Sequence, residues 1–289
     1  MFVLNYTKLM RFKTSFLIGI SSILGVSFCL SDNLIQLPFK DMLLKIIAVF
    51  ILLILSSGSL NLFNDIIDVK IDKELKPERI LAQGIVSIKK AYLFFSSSFL
   101  IGLLLSWYIN LMVLVIYVIM FCVGVFYSLF FQNIPLVKNL VVAFSISMSI
   151  LVGYLSLIIS NTFNVSNKMI TIFFLSLFAI ITFELQKDIN DVEVDKKYNK
   201  RTFPVIFGKK ESSMLVYILY WLIVTVFWLY LTLNSKADLL IIGVLIVVQS
   251  YVLFSIKNIL SDQSFEIMER ARIRIYFLFA LTLFTLFIV

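Results

Sequence analysis

The sequence predicts an all-α, polytopic membrane protein, and three observations lead to this. Of the 289 residues, 61% are hydrophobic and only 15% are charged, and the mean hydropathy is +1.03. Apolar runs of about 20 residues, the length of a transmembrane helix, recur along the whole chain. Short polar segments separate these runs, so we expect about nine transmembrane helices around a central cavity. The predicted spans are roughly 14–31, 42–63, 89–107, 109–130, 139–160, 169–187, 212–233, 237–256 and 272–289.

The first span follows Lys8, Arg11 and Lys13 and has the outline of a secretory signal sequence. No small-residue cleavage site comes after it and eight further spans do, so we expect an uncleaved helix. Cys29 and Cys122 are the only cysteines and each lies inside a span, so neither a disulfide framework nor a metal–thiolate site is expected. The chain has no histidine, which excludes histidine acid–base chemistry, histidine-ligated zinc and haem axial ligation.

The basic residues predict the orientation in the membrane. With a cytoplasmic N-terminus, 21 of the 25 Lys and Arg residues lie on the cytoplasmic side, and only Lys40, Lys45, Lys168 and Lys236 lie outside. The positive-inside rule therefore places the N-terminus in the cytoplasm and the C-terminus, Val289, outside. The net charge of +8 then reflects topology, and no nucleic-acid partner is expected. We expect an integral protein of a bacterial or archaeal cell membrane.

Two acidic clusters stand at the ends of the second and sixth predicted spans. Ten of the 17 acidic residues lie in the first cluster, 64–78, or in the second cluster, 184–195. Carboxylates in so apolar a chain are costly unless a cation compensates them, so the clusters predict a functional site. Four spans separate them, and both should therefore emerge on the same membrane face. The longest loops, about 65–88 and 188–211, follow the same two helices and should cap the cavity on the cytoplasmic side.

A repeat links the two clusters. Asp68 and Asp191 are 123 residues apart, and so are Asp72 and Asp195. This spacing predicts two similar, parallel helical halves, roughly 1–137 and 138–289, within one domain that spans 1–289.

The spacing within each cluster places its polar side chains on one face of a helix. The two stripes consist of Asn64, Asp68 and Asp72, and of Glu184, Asp188, Asp191 and Asp195. Facing stripes would repel each other strongly without cations. Hard oxygen ligands suit Mg²⁺, which prefers one or two carboxylates together with substrate phosphate oxygens. The stripes thus predict a magnesium–diphosphate site, whereas the simpler alternative is a solvated helix end with intrahelical Lys pairs.

An allylic diphosphate would use such a site, because metal ions and basic side chains stabilise the departing diphosphate and a dry cavity protects the carbocation. Arg79, Lys187 and Arg201, together with Asn64, are the candidates for binding the diphosphate. For the basic three, the alternative is that they only set the topology. Deprotonation of an acceptor would fall to Glu184, Asp188 or a substrate phosphate.

These motifs resemble those of the UbiA family of intramembrane prenyltransferases over nearly the whole chain. Asn64-Asp65-x-x-Asp68-x-x-x-Asp72 is similar to the first aspartate motif of that family, and Asp191-x-x-x-Asp195 to the second. Further matches are Arg79 and Gly84 in the segment after the first motif, and Tyr127-Ser128, Pro135-Leu136 and Asn139 in the connection between the fourth and fifth helices.

Within the family, ELxKDxxDxExD followed by Arg201-Thr202-Phe203-Pro204 and Gly208 is most similar to digeranylgeranylglyceryl phosphate synthases. The resemblance implies magnesium-dependent transfer of a prenyl group, with geranylgeranyl diphosphate as donor and geranylgeranylglyceryl phosphate or a similar lipid precursor as acceptor.

The resemblance also implies roles for individual residues. Asp68, Asp72, Asp191 and Asp195 would bind metal and be catalytic, and Asn64 would support them. Arg11, Tyr127 and Lys138 are further site candidates.

The chain departs from the family pattern at several positions. Phe12 and Thr14 stand where the family commonly has Pro and Asn, and Ile80 replaces the Pro after Arg79. Gln132 replaces a basic residue that helps to hold diphosphate in the family, and Lys138, which replaces a Gly, is a candidate to compensate for the lost charge from another position. The predicted metal ligands are all retained.

Three alternatives stay open. In the first, the prenyl cation cyclises internally, as in UbiA-type terpene cyclases; in the second, the acceptor is an aromatic or quinone precursor. A third, different class is a divalent-cation channel or transporter. Transporter sites usually lie near the membrane midplane in broken helices of inverted repeats, whereas these carboxylates are predicted at one face in parallel repeats.

Overall fold

The computed structural model describes residues 7–32, 37–158, 165–234 and 239–288, and all regular structure within them is helical. Parts of two predicted spans (159–160 and 237–238), Lys236 and the C-terminal Val289 lie outside the described residues. The α-helices are α1 (Phe12–Ser31), α2 (Phe39–Ile67), α3 (Val69–Leu75), α4 (Ile88–Ile109), α5 (Leu111–Leu129), α6 (Val137–Leu155), α7 (Asn167–Asn190), α8 (Val192–Lys197), α9 (Phe203–Phe207), α10 (Lys209–Asn234), α11 (Leu239–Ile256) and α12 (Phe265–Ile288). Two 3₁₀ turns occupy Phe131–Asn133 and Lys257–Leu260.

The all-α prediction is confirmed, but the number of nine spans is not. In the described part of the chain, seven helices are long and apolar enough to cross a membrane, namely α1, α2, α4, α5, α6, α7 and α10. The eighth predicted span has only a shorter apolar stretch, Leu245–Leu260. The ninth forms α12, whose first ten residues include Glu266, Glu269 and three arginines. The two acidic clusters follow the second and sixth of the seven apolar helices, as predicted.

The first compact unit comprises residues 1–132 and 148–165. Within it α2 packs against α1, α4 and α5. Close to the first acidic cluster, an apolar group ties the end of α2 to the segment after α3 and to the chain before α1; its buried members are Leu9, Leu62, Ile66, Ile80, Leu81, Val86 and Ala91. Residues 148–165, placed by the sequence in the second half, belong to this unit.

The second compact unit comprises residues 133–147 and 166–289. Within it α7 packs against α10 and α12. The buried core of this unit includes Leu185 and Ile189 of α7, Tyr220 of α10 and Ile275 of α12. These apolar contacts fix the end of α7, which carries the second acidic cluster.

The two long helices that carry the clusters end in the same way. Asp68 ends α2 with φ −86° and ψ 3°, and Asp191 ends α7 with φ −92° and ψ 3°. A short helix begins directly after each, so the backbone hydrogen bonds continue through the break. The amide of Asp72 donates to the carbonyl of Asp68 (2.8 Å), and the amide of Asp195 donates to that of Asp191 (2.8 Å). The helical spacing of both predicted stripes is therefore largely kept.

Candidate active site

Asp68 is the one aspartate of the first cluster that forms no ion pair among the described residues. Its Oδ2 accepts a hydrogen bond from Nδ2 of Asn64 (3.0 Å), and its Oδ1 accepts one from Nε2 of Gln132 (3.4 Å). Both donors are neutral amides, and Asp68 has no ion pair among the described residues. Oδ1 of Asn64 is buried and has no hydrogen-bond partner there. The carboxylate oxygens of Asp68 and Oδ1 of Asn64 therefore form a negatively charged set of oxygens with no compensating cation among the described residues.

Asp65 and Asp72, in contrast, are buried in ion pairs with arginines. Nη1 of Arg79 donates to Oδ1 of Asp65 (2.7 Å) and also to Oδ2 of Asp72. Nη2 of Arg11 donates to the same Asp65 oxygen. Burying a carboxylate is tolerable only with such partners, so Asp65 anchors two guanidinium groups at the end of α2.

The ion pairs of Arg79 limit how it could bind diphosphate, the role predicted for it. Its described bonds all use Nη1 and go to carboxylates rather than leaving the whole guanidinium open. The turn that delivers Arg79 closes at Gly84, whose φ of +70° is a conformation that residues with a Cβ rarely adopt. Arg79 is therefore held in a fixed position beside the stripe, and Nη1 of its guanidinium is already bonded to the two carboxylates.

Asp191 is the counterpart of Asp68 in the second cluster. It is exposed and has no ion pair among the described residues. The preceding residue, Asn190, has a buried Oδ1 without a hydrogen-bond partner there. Asp195 is buried and lies 3.5 Å from Nζ of Lys200, which is half exposed. Among its described aspartates, the second cluster thus repeats the pattern of the first: one, Asp191, has no ion pair, and two, Asp188 and Asp195, are paired.

Asp188, a predicted acid–base candidate, is held in a buried network. Nζ of Lys138 donates to its Oδ1 (2.6 Å), and Nδ2 of Asn139 donates to its Oδ2 (3.0 Å). Each oxygen thus accepts one hydrogen bond, and the burial of Asp188 restricts access to the remaining lone pairs. Lys138 is likewise committed to Asp188. The geometry favours Glu184, which is partly exposed, over Asp188 as an acceptor of protons.

Of the remaining predicted residues, Glu184, Lys187 and Tyr127 lie near the ends of their helices, and Arg201 lies in the connection between α8 and α9. Lys187 and Arg201 are exposed, and neither forms an ion pair within the described ranges. Tyr127 is half-buried in the last turn of α5. Glu184 is preceded by Phe183, whose ring stacks on that of Tyr276 with 3.9 Å between the ring centroids.

Asp65 is a residue of the site that was not among the predicted functional residues. Asp65 and Asp188 are also 123 residues apart, so three aspartates of each cluster form equivalent pairs. Both are buried, and each binds a basic residue at the start of an earlier helix: Arg11 before α1 for Asp65, and Lys138 in α6 for Asp188. The signal was therefore present in the spacing that related Asp68 to Asp191.

The ligand set fits magnesium. No group of three or more His, Cys, Asp or Glu residues that could hold a metal ion is found in the described part of the chain. Magnesium does not need such a group, because it is usually bound through one or two carboxylates and keeps water and phosphate oxygens as its other ligands. Each cluster offers such ligands by itself: the first has the carboxylate of Asp68 and the amide oxygen of Asn64, and the second has the carboxylate of Asp191 and the amide oxygen of Asn190, the two amide oxygens being without hydrogen-bond partners among the described residues.

Comparison with known proteins identifies the family. Residues 21–287 match the UbiA prenyltransferase family. The chain belongs to this family. It is therefore an intramembrane prenyltransferase, and the predicted resemblance is confirmed.

Two similar relatives within the family are digeranylgeranylglyceryl phosphate synthases. The digeranylgeranylglyceryl phosphate synthase of Methanosarcina mazei is 29% identical over 218 residues, 73% of either chain. That of Thermococcus kodakarensis is 29% identical over 231 residues, 78% of this chain and 79% of the relative.

Solved structures of UbiA-type proteins share the fold. A structure described in work on digeranylgeranylglyceryl phosphate synthase in membranes has a TM-score of 0.81 at 23% identity, covering 99% of this chain and 97% of the other. A UbiA homolog from Archaeoglobus fulgidus bound to GPP and Mg²⁺ has a TM-score of 0.69 at 19% identity, covering 99% and 100%.

Proposed function

We propose that this UbiA-family protein transfers a geranylgeranyl group from geranylgeranyl diphosphate to geranylgeranylglyceryl phosphate or a similar lipid precursor, with Mg²⁺ as cofactor. The observation that carries the proposal is the pair of equivalent, uncompensated carboxylates, Asp68 and Asp191, beside neutralised aspartates. The names of the relatives support the acceptor class. The metal and donor class of the Archaeoglobus homolog support the cofactor.

In this proposal both acidic clusters bind the metal ions of one diphosphate. Asp68 with Asn64 would hold magnesium in the first cluster, and Asp191 with Asn190 in the second. Asp72 and Asp195 would complete the ligand set with their remaining oxygens. Four apolar helices separate the two clusters along the chain, so both clusters should emerge on the same membrane face, and this supports a shared ligand. Bound magnesium neutralises the charge that develops on the departing diphosphate.

The basic residues divide the remaining work. Lys187 and Arg201 are exposed and suited to meet diphosphate oxygens, while Arg79 acts from a fixed position beside Asp72. During transfer, the bond between prenyl C1 and the diphosphate oxygen breaks with its electron pair going to the diphosphate. The acceptor hydroxyl oxygen then bonds to C1 and loses its proton. Glu184 or a phosphate oxygen of the substrates receives that proton.

We further propose that the N-terminus and the loops of the active site lie in the cytoplasm and the C-terminus lies outside, in a bacterial or archaeal cell membrane. The excess of basic residues around the acidic clusters supports this orientation.

A substrate panel tests the proposed function. The purified protein in liposomes is given geranyl, farnesyl and geranylgeranyl diphosphates, each with geranylgeranylglyceryl phosphate, with an aromatic acid or with no acceptor. Products are identified by mass spectrometry with Mg²⁺ and with excess EDTA. We expect the digeranylgeranyl ether product to dominate in Mg²⁺ and to disappear in EDTA.

The other arms identify the alternatives. Formation of a cyclic hydrocarbon in the absence of an acceptor would favour a terpene cyclase. Formation of a prenylated aromatic acid would favour an aromatic acceptor over the lipid acceptor. Divalent-cation flux across the liposomes, without consumption of any diphosphate, would overturn the proposal.

A further inference from the structure

A cavity of about 360 Å³ opens beside the first acidic cluster, within the first unit. Three segments line it: the chain before α1, the end of α2 and the turn after α3. The lining residues are Lys8, Leu9, Arg11, Asp65, Lys76, Glu78, Arg79 and Ile80. Its walls are therefore mostly charged, with Leu9 and Ile80 as the apolar part.

The charge of this cavity favours an anion. Four basic residues face two carboxylates, and Glu78 is exposed. Asp65 is shared by two guanidinium groups, whereas its equivalent Asp188 meets one ammonium and one neutral amide. Because Arg79 also pairs with Asp72, two aspartates offset the two guanidinium groups, and the positive surplus of the cavity comes from Lys8 and Lys76, which outnumber the exposed Glu78. Charge-assisted hydrogen bonds from such groups are the usual way to hold a phosphate.

The cavity is distinct from the predicted metal stripe but adjoins it. None of Asn64, Asp68 and Asp72 lines the cavity. Arg79 connects the two, because it lines the cavity and donates to Asp72 of the stripe. An anion in the cavity would therefore lie next to, and not within, the place proposed for the metal-bound diphosphate.

We propose that this cavity binds the phosphate monoester of the acceptor lipid, with Lys8 and Arg11 as its contacts and Arg79 as the wall shared with the donor site. This inference rests on the proposed function. Glycerol has three carbons, so an acceptor with one ether and one phosphate ester keeps its free hydroxyl within two carbons of the phosphate. The two anions must then sit side by side for the hydroxyl to reach prenyl C1.

The apolar wall also fits a lipid phosphate better than a soluble one. Leu9 and Ile80 belong to the same buried apolar group as Leu62 and Ile66 at the end of α2. A head group in the cavity would have its charged end against the basic residues and apolar side chains close by. A free phosphate ion would gain nothing from that wall.

The test compares Lys8→Gln with Lys13→Gln. Lys13 is an exposed lysine of the same N-terminal region that does not line the cavity, which makes it the matched control. Transfer is measured in liposomes with geranylgeranyl diphosphate and either geranylgeranylglyceryl phosphate or the corresponding alcohol without phosphate. We expect Lys8→Gln to raise KM for the phosphorylated acceptor about tenfold, while KM for the donor and for the alcohol stays unchanged. Lys13→Gln should leave all three values unchanged.

Binding without turnover separates this inference from the proposed function. Retention of radiolabelled geranylgeranylglyceryl phosphate is measured in EDTA, with and without excess anionic phospholipid. Retention that Lys8→Gln weakens, with no transfer under any condition, would contradict the proposed function alone. Normal transfer with retention and KM unaffected by Lys8→Gln would overturn the inference. An equal rise of KM for donor and acceptor would assign the cavity to the diphosphate, and full competition by bulk anionic lipid would assign it to membrane head groups; either would overturn the inference.

Discussion

The two acidic clusters have the same backbone conformation and differ in the charged side chains that surround them. In both, a long helix ends at an aspartate without a cationic partner, Asp68 or Asp191, and a short helix follows. In the first, arginines neutralise the other two aspartates. In the second, lysines do so, through a tight contact to Asp188 and a looser one to Asp195. The unpaired aspartates, present in both clusters, suit the magnesium binding proposed for both. The arginines, present only in the first cluster, suit the acceptor phosphate proposed to bind beside that cluster.

The largest effect is expected where the clusters agree. Asp68→Asn and Asp191→Asn each keep the shape of the side chain and remove the charge that would hold magnesium. We expect either substitution to lower the rate of diphosphate release by about 10²- to 10³-fold, which is the range seen when one electrostatic contact to a developing negative charge is lost. Release of labelled diphosphate at saturating Mg²⁺ measures this.

Each cluster offers its own control for that experiment. Glu74 and Glu193 are exposed acidic residues of the first and second clusters, and Glu193 only approaches Lys209 at 3.8 Å. Glu74→Gln and Glu193→Gln should keep near wild-type rates. If Asp191→Asn were as active as Glu193→Gln while Asp68→Asn was inactive, the two clusters would not be functional equivalents.

Much of this comparison could be predicted from the sequence, because it depends on local spacing. The helical stripes, the order of the helices and the equivalence of Asp68 with Asp191 follow from intervals of four and of 123 residues. The pairing of Arg11 with Asp65 could not be predicted, since it joins residues 54 positions apart through tertiary packing. The count of nine spans is not confirmed: the ninth forms α12, whose first ten residues include five charged side chains, so its length alone does not establish that it crosses a membrane.

A second, smaller effect should separate the clusters by stability. Asp65→Asn removes the carboxylate partner of Arg11 and one of the two carboxylates that Arg79 contacts, whereas Asp188→Asn removes the carboxylate partner of one partly buried ammonium, that of Lys138. We expect losses in the free energy of unfolding of about 3 kcal/mol for Asp65→Asn and about 2 kcal/mol for Asp188→Asn. Reversible unfolding in mixed detergent micelles provides the measurement.

A double-mutant cycle with Lys138→Met checks the cause in the second cluster. Because the lysine charge is absent in Lys138→Met, adding Asp188→Asn should then cost much less than it does alone. Equal costs in both backgrounds would mean that the ion pair does not account for the stability. An Asp188→Asn variant less stable than Asp65→Asn would reverse the expected order of the clusters.

The smallest effect concerns the glycines in the loops after the two clusters. Gly84 has a φ of +70° and open space where a Cβ would be, so Gly84→Ala pays only for the left-handed backbone, about 1 kcal/mol. Gly208 has a φ of +102°, and a Cβ there would lie 2.5 Å from Oε2 of Glu211. The Glu211 carboxylate can move aside, but the φ of +102° and ψ of 158° lie in a region essentially restricted to glycine, so Gly208→Ala should cost more, about 2 kcal/mol in the same unfolding experiment. Adding Glu211→Ala should remove only the steric part of that cost, because the backbone conformation still disfavours a Cβ. Full recovery in the double variant would show that the side chain, and not the backbone, requires glycine after the second cluster.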